Sequence, residues 1–267
     1  DGIVEEGGVN WFLEGVRACS FDEGECPMGV CRVRLKNRRD VAAGTMAFTF
    51  EKPEGFAYKA GQSADFKLID PPETDDEGIE RTFSFASAPF ESDLMVATRM
   101  RDTAFKRVLK TMSLGTEIIM DAPYGSLTLH NAADKAAVYL TGGIGVTPAR
   151  SIILQAGHDK RPQKIILFYS NKTPADAAFL DELTEAQKTN ANYKLVATMT
   201  HLDASDASWT GERGYITKEM IQKRVPDLGA PIYYLSGPPA MVEAMRRLLN
   251  EAGVDDDNIR SEEFAGY

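Results

Sequence analysis

Two turns in this 267-residue chain carry the residue types of anion-binding loops. The first is Tyr139-Leu-Thr-Gly142-Gly143-Ile-Gly145-Val-Thr147-Pro148, an apolar run leading into glycines and then a proline suited to a helix's first turn. Glycines there let backbone approach a diphosphate, and the helix that Pro148 opens would aim its N-terminus at the anion. A tight strand-to-helix turn that binds nothing looks the same in isolation. The second is Ser236-Gly237-Pro238-Pro239-Ala240-Met241, after another apolar run. In a parallel sheet both turns emerge at the carboxyl ends of strands, where ligands bind, and two such turns weaken the bland reading.

A third run is Arg81-Thr82-Phe83-Ser84-Phe85-Ala86-Ser87-Ala88-Pro89. Its guanidinium can fork onto phosphate, its aromatic ring can stack on a flat ring, and Ser84 can donate to or accept from a ring nitrogen. That set suits a flavin nucleotide, although a plain polar strand has the same composition. Metal chemistry finds no support. His130, His158 and His201 lie far apart, and the gaps between Cys19, Cys26 and Cys31 match no common zinc or iron–sulfur spacing.

The elements that must position these runs change character along the chain. Residues 1–30 hold seven acids and one base and read as an appended acidic arm or short docking helix. Residues 31–130 read as short strands in a small antiparallel barrel: Cys31–Lys36, Met46–Phe50, Ala64–Ile69, Leu94–Arg99 and Glu117–Met120. One helix interrupts them from Thr103, its N-cap, to Met112. The Asp70–Glu80 loop, with six acids, is read as solvated, or as a shield along one edge of a flavin. Residues 131–267 alternate apolar strands (Ala137–Thr141, Lys164–Ser170, Lys194–Met199, Ile232–Ser236) with helices (Pro148–Gln155, Ala177–Gln187, Ala240–Glu251). That alternation predicts a parallel α/β nucleotide-binding domain with helices on both faces. Trp209 reads as a loop anchor.

Composition narrows the classes further. With 30 basic and 40 acidic residues the formal charge is −10, which argues against nucleic acid as the main partner. No apolar run approaches the ~18–20 residues needed to cross a bilayer. Three cysteines outside any disulfide framework fit a reducing compartment, so cytoplasmic is the expected location.

Taken in order, Arg-x-aromatic-Ser, Ala122-Pro123-Tyr124-Gly125, the Gly-Gly-Ile-Gly-Val-Thr-Pro turn, Ser-Gly-Pro-Pro-x-Met and the C-terminal Glu262-Glu263-Phe264 resemble the ferredoxin–NADP reductase-like flavoenzymes, and among them the bacterial FAD-dependent reductases. The resemblance covers residues 31–267. It implies a β-barrel flavin domain followed by a parallel α/β domain, with FAD and NADPH or NADH as cofactors. Arg81 would bind flavin phosphate, while Thr82, Phe83 and Ser84 would line the isoalloxazine, Ser84 near its N5. Arg99, Arg101 and Thr103 would hold the diphosphate or adenine side. Gly143, Gly145, Thr147 and Pro148 would cradle the nicotinamide dinucleotide, and Ser236, Gly237, Pro238 and Met241 would shape the nicotinamide pocket. Glu262 would lie near the flavin, and with Ser84 and Ser236 it completes the implied catalytic set.

The sequence departs from the family pattern at four places: Phe83 for the usual Tyr, Ser236 for a frequent Cys, no glycine in Arg101-Asp102-Thr103, and the extension Ala265-Gly266-Tyr267. Phe264 and Tyr267 are therefore both candidates to stack on the flavin. Beyond the glycine turn, the second strand ends at Tyr169-Ser170-Asn171-Lys172 with no acid to hold a ribose. Ser170 and Lys172 suit a 2′-phosphate, which leans the choice to NADPH, and Asp176 should cap the next helix.

The implied activity is an FAD-dependent NAD(P)H oxidoreductase passing electrons to a ferredoxin- or flavodoxin-like protein, or to a small molecule. Arg99, Arg101, Lys106, Arg107 and Lys110 would form the docking patch for an acidic redox protein. The alternative is a non-catalytic electron-transfer subunit of a larger assembly.

Overall fold

The computed structural model describes residues 29–203 and 207–264. The acidic arm with Cys19 and Cys26, and Tyr267, lie outside the described residues.

The first half is built from β1 (Gly29–Ala42), β2 (Thr45–Glu51), β3 (Ser63–Lys67), β4 (Glu80–Ser84), β5 (Asp93–Arg99), α1 (Ala104–Thr111) and β6 (Glu117–Tyr124). Period-two alternation drives it. Val33 and Leu35 turn inward while Arg32, Arg34 and Lys36 face water. All pairings are antiparallel, in the order β4-β3-β6-β1-β2-β5. A bridge between Phe85 and Val96 brings the two edges together, so the sheet curls into a barrel. Aromatic rings fill its interior: Phe50 stacks on Phe66 at 5.3 Å between centroids, and Tyr58 lies 4.4 Å from Phe85. Helix α1 closes one end with Phe105, Val108 and Leu109, and Thr103 caps it as its sequence predicts.

The second half runs β7 (Ala137–Gly142), α2 (Val146–His158), β8 (Ile165–Asn171), α3 (Leu180–Thr189), β9 (Tyr193–Met199), β10 (Glu212–Arg213), α4 (Lys218–Gln222), β11 (Ile232–Gly237), α5 (Pro239–Glu251) and β12 (Ile259–Glu263). The sheet is parallel, in the order β10-β9-β8-β7-β11-β12. Every residue of β7 and β11 is buried, because helices cover both faces. Tyr139, Leu167 and Tyr169 pack with α2 and α3, and Leu140, Phe168 and Leu235 pack toward α4 and α5. The chain steps outward from β7 to β10, then returns to the other side of β7 for β11. Strand order therefore reverses between β7 and β11, the place where open α/β sheets bind ligands.

Some boundaries moved. The helix read from Ala177 starts at Leu180, because Pro174–Asp176 forms a separate 3-10 turn and Phe179 is left-handed (φ 59°). The glycine turn is a 3-10 segment, Gly143–Gly145, that runs directly into α2. Strands β10 and β12 and helix α4 had no readable pattern. Strand β12, Ile-Arg-Ser-Glu-Glu, is polar at four of five positions and owes its form to pairing with β11.

Candidate active site at the domain junction

The ends of β7 and β11 touch. A Cβ on Gly142 would stand 2.3 Å from the Met241 sulfur, and one on Gly145 would stand 2.5 Å from the Ser236 carbonyl oxygen. At Gly145 the opposing atoms are backbone and cannot yield, so only glycine fits there. Gly237, at φ 150°, faces Gly142 across the same gap. The Ser236 hydroxyl, 1% exposed, donates to the Gly145 carbonyl at 2.7 Å. It fastens one turn to the other, so its hydroxyl proton is already committed. Thr147 donates to the Ile144 carbonyl at 3.1 Å and shapes the start of α2, in whose first turn Pro148 lies.

Strand β4 of the barrel meets this crevice. The Ser84 hydroxyl donates to Glu262 Oε1 at 3.0 Å, joining residues 178 positions apart. Glu262 lies on β12 directly beside Ser236 of β11. Burial pushes its carboxyl above the usual range, against the opposing pull of the Ser84 hydrogen bond. The Phe264 amide donates to the Gly237 carbonyl at 3.0 Å, which pins the segment after Glu262 over the Gly-Pro turn. The three catalytic candidates, Ser84, Ser236 and Glu262, thus converge.

A cleft of about 140 Å³ opens beside Ser84, lined by Phe83, Ser84, Ile144 and Phe264 and by Glu77, Arg81, Arg99, Arg101, Thr103 and Lys106. Phe83 is held by ring contacts to Phe66 and Phe105 at 5.9 and 6.0 Å. The Thr82 hydroxyl donates to Asp65 across the β3–β4 ladder. Lys106 donates to the Arg99 carbonyl at 2.7 Å. Burial, and then the charges of Arg101 and Arg81, push its ammonium down to about 8.

Here the structure corrects two sequence readings. The Asp70–Glu80 loop is no merely solvated segment. Glu77 pairs with Arg81 at 2.7 Å, Asp75 accepts from the first amide of α1 (Ala104) at 2.6 Å, and Glu73 pairs with Arg107 at 2.7 Å. Of the residues read as a docking patch, Arg99, Arg101 and Lys106 line the cleft together, while carboxylates meet Arg107 and Arg99. Arg107 is held by Glu73 and Asp102, and Arg99 faces Asp176 at 3.9 Å. Glu73, distant in sequence from Arg107, and Asp176, distant from Arg99, were invisible to a reading of local charge.

At the end of β8, Ser170 is opposite Gly142 and Lys172 is exposed. Asp176 forms a capping box with Thr173 at the 3-10 turn, close to its expected role. Asn171 is buried with neither amide atom partnered, a feature nothing in the sequence signalled. His130 is structural: burial lowers its pKa, and its ring meets the Tyr234 hydroxyl and the Lys135 carbonyl. Trp209 anchors its loop by donating to the Glu212 carbonyl. Among the described residues no His, Cys, Asp and Glu side chains gather as a metal site would require.

The fold has known counterparts. In structure the chain is similar to a ferredoxin–NADP+ reductase from Neisseria gonorrhoeae with bound FAD and NADP, at a TM-score of 0.73 and 20% identity over 88% of this chain and 98% of that one. This chain has the ferredoxin–NADP reductase-like fold. Residues 139–247 match the family model of the oxidoreductase NAD-binding domain. The antiparallel barrel precedes the matched segment, so the chain has both halves of that fold. The chain is 27% identical to the reductase component of propane 2-monooxygenase from Rhodococcus jostii, over 93% of this chain and 68% of the relative. It is 26% identical to the reductase subunit of glycine betaine monooxygenase from Chromohalobacter salexigens, over 82% and 60%. It therefore spans only about two thirds of these relatives' lengths. No helix among the described residues is long and apolar enough to cross a membrane.

Proposed function

We propose that this chain takes hydride from NAD(P)H onto FAD and passes the electrons to a redox protein, as the reductase of a multi-component system. The observation that carries the reading is the convergence of β4 with the β7–β11 crevice through the Ser84–Glu262 hydrogen bond. It sets a flavin-type strand against a dinucleotide-type turn. The names of the relatives, reductase components of two monooxygenases, favour a protein acceptor over a small molecule.

The residues present fit a flavin dinucleotide. Arg81, Arg99, Arg101 and Lys106 line one cleft, and the N-terminus of α1 lies beside it, already holding a carboxylate. Arg81 would hold the flavin phosphate, and Arg99, Arg101 and Thr103 the diphosphate or adenine side. Thr82, Phe83 and Ser84 line the flat ring, and Phe264 covers it, as Tyr267 does in the sequence's other option. FAD supplies a hydride acceptor whose electrons can leave again. Ser84 and Glu262 place a hydrogen-bonded hydroxyl and an acid of raised pKa at the ring's edge, where they can hold or move a proton. Gly143, Gly145, Thr147 and Pro148 bring backbone to the nicotinamide dinucleotide, and Gly237, Pro238 and Met241 shape the wall of its pocket. Ser236 keeps the two turns in contact rather than attacking anything. Ser170 and Lys172 favour NADPH. The sparse cysteines support a cytoplasmic location.

Anaerobic titration of the FAD-loaded chain with NADPH or NADH tests the reading. The visible flavin band should bleach and recover when a ferredoxin is added. A chain that binds no FAD, or whose flavin band ignores both nucleotides, would refute it.

A further inference from the structure

Arg150 lies on α2 three residues beyond Thr147, and only 3% of its side chain is exposed. All five of its N–H groups are used. Nε donates to Glu182 Oε2 at 2.9 Å and Nη2 to Glu182 Oε1 at 2.5 Å. Nη1 and Nη2 also donate to the two oxygens of Glu91, at 3.0 and 3.2 Å, and the second proton of Nη1 goes to the Ala86 carbonyl. The guanidinium plane lies over the Phe179 ring, 5.2 Å from its centroid. Glu182 belongs to α3 of the nucleotide-binding half, whereas Ala86 and Glu91 belong to the barrel. Beside it, Ser151 donates to the Ser87 carbonyl at 2.6 Å.

The two segments joined here are continuations of the two halves of the site. Ala86 lies two residues past Ser84 on the flavin-side run, and Arg150 follows the glycine turn on the same helix. A buried guanidinium shared by two carboxylates adds little stability over an apolar group of the same volume. Its bidentate forks are instead directional, and they resist both sliding and rotation. We propose that Arg150 is a positioning residue for hydride transfer, setting the distance and angle between the flavin strand and the nicotinamide turn. The inference rests on the reading under Proposed function and adds to it a residue that touches neither cofactor.

Misplacing reacting atoms by an ångström lowers rates by about a hundredfold. Arg150→Met should therefore slow flavin reduction at saturating NAD(P)H by about 10- to 100-fold, while KM and FAD affinity stay within about threefold. Arg150→Lys keeps the charge without the forks and should recover only part of the rate. Two further readouts need no turnover: the long-wavelength charge-transfer band between bound nicotinamide and flavin should weaken, and amide exchange at Ala86 and Ser87 should quicken in the apo chain. Leu249→Ala, in the core far from this network, serves as a variant of matched stability loss. An unchanged rate and charge-transfer band in Arg150→Met would overturn the proposal, as would an equal rate loss in Leu249→Ala. A wild-type chain whose flavin never bleaches would instead overturn the broader reading.

Discussion

Raising the pH from 7 to 9.5 should loosen FAD through a single side chain, Lys106. In the free protein the ammonium lies in a half-buried cleft beside Arg101 and Arg81, and its pKa falls from 10.5 to about 8. A diphosphate bound against it would reverse the local charge and return the pKa toward ~10.4. Binding then takes up a proton at any pH between those values, so affinity falls as pH rises. Between pH 7 and 9.5 the linkage sets a ceiling of about thirtyfold. Solvent screening of the partly exposed ammonium reduces the expectation to about tenfold. The free protein should respond in the opposite sense. Its folded-state pKa is below the unfolded one, so the charged form opposes folding, and stability should rise with pH between about 8 and 10.5.

FAD titrations followed by flavin fluorescence at constant ionic strength give the slope. Lys106→Arg stays charged throughout and should bind FAD with little pH dependence. Lys106→Met should be equally flat and weaker at pH 7. Burial raises the phenols of Tyr58, Tyr139, Tyr193, Tyr233 and Tyr234, and a hydrogen bond to Asp121 raises that of Tyr124, which moves these tyrosines out of the window. A wild-type slope that persists in Lys106→Met would refute the reasoning.

Other substitutions test the rest of the site. Arg81→Ala should weaken FAD binding by about 10- to 100-fold, since charge-assisted hydrogen bonds contribute ~1.5–3 kcal/mol, whereas Glu77→Gln should strengthen it several-fold by freeing that guanidinium; equilibrium dialysis separates the two signs. Ser236→Ala should slow flavin reduction in stopped flow while FAD stays bound, and Ser236→Cys should be tolerated. FAD loss in Ser236→Ala would mean the residue belongs to the other half of the site. Ser170→Asp with Lys172→Ala should lower the NADPH preference in kcat/KM by about one to two orders of magnitude, or ~1.4–2.8 kcal/mol, and equal use of the two nucleotides by the unmodified chain would remove the basis for that expectation.

How much of this was legible depended on how local the cause was. Strands β7 and β11 announce themselves as unbroken apolar runs because both of their faces are covered, and α1 does so through Thr103 and the spacing of Phe105, Val108 and Leu109. The glycine turn could be read because it clusters glycines between an apolar run and a proline, and at Gly145 the opposing backbone leaves no room for a side chain. Strand β12 could not. Its polar sequence lacks any period, and only pairing with β11 makes it a strand, so Glu262 was placed by resemblance rather than by pattern.

The charges were the hardest to read, for a reason that bears on how the cleft works. A sequence shows Arg99, Arg101, Lys106, Arg107 and Lys110 as a basic run and Glu73, Asp75 and Glu77 as a separate acidic one. Folding brings the two runs together because β3 and β4 are adjacent strands and the loop joining them lies over α1. Carboxylates then occupy positions where an anion is favoured, on Arg81 and on the first amide of α1. The Glu77 carboxylate is 61% exposed, so releasing it from Arg81 costs little: an exposed ion pair contributes ~0–1 kcal/mol. Lys106, by contrast, has a backbone carbonyl as its hydrogen-bond partner, and burial with the charges of Arg101 and Arg81 lowers its pKa against the opposing pull of Glu77. An incoming diphosphate can displace the exposed Glu77 carboxylate from Arg81 and bring more negative charge to Lys106 than Glu77 supplies. That is why the pH response is expected from Lys106 and the gain in affinity from Glu77→Gln.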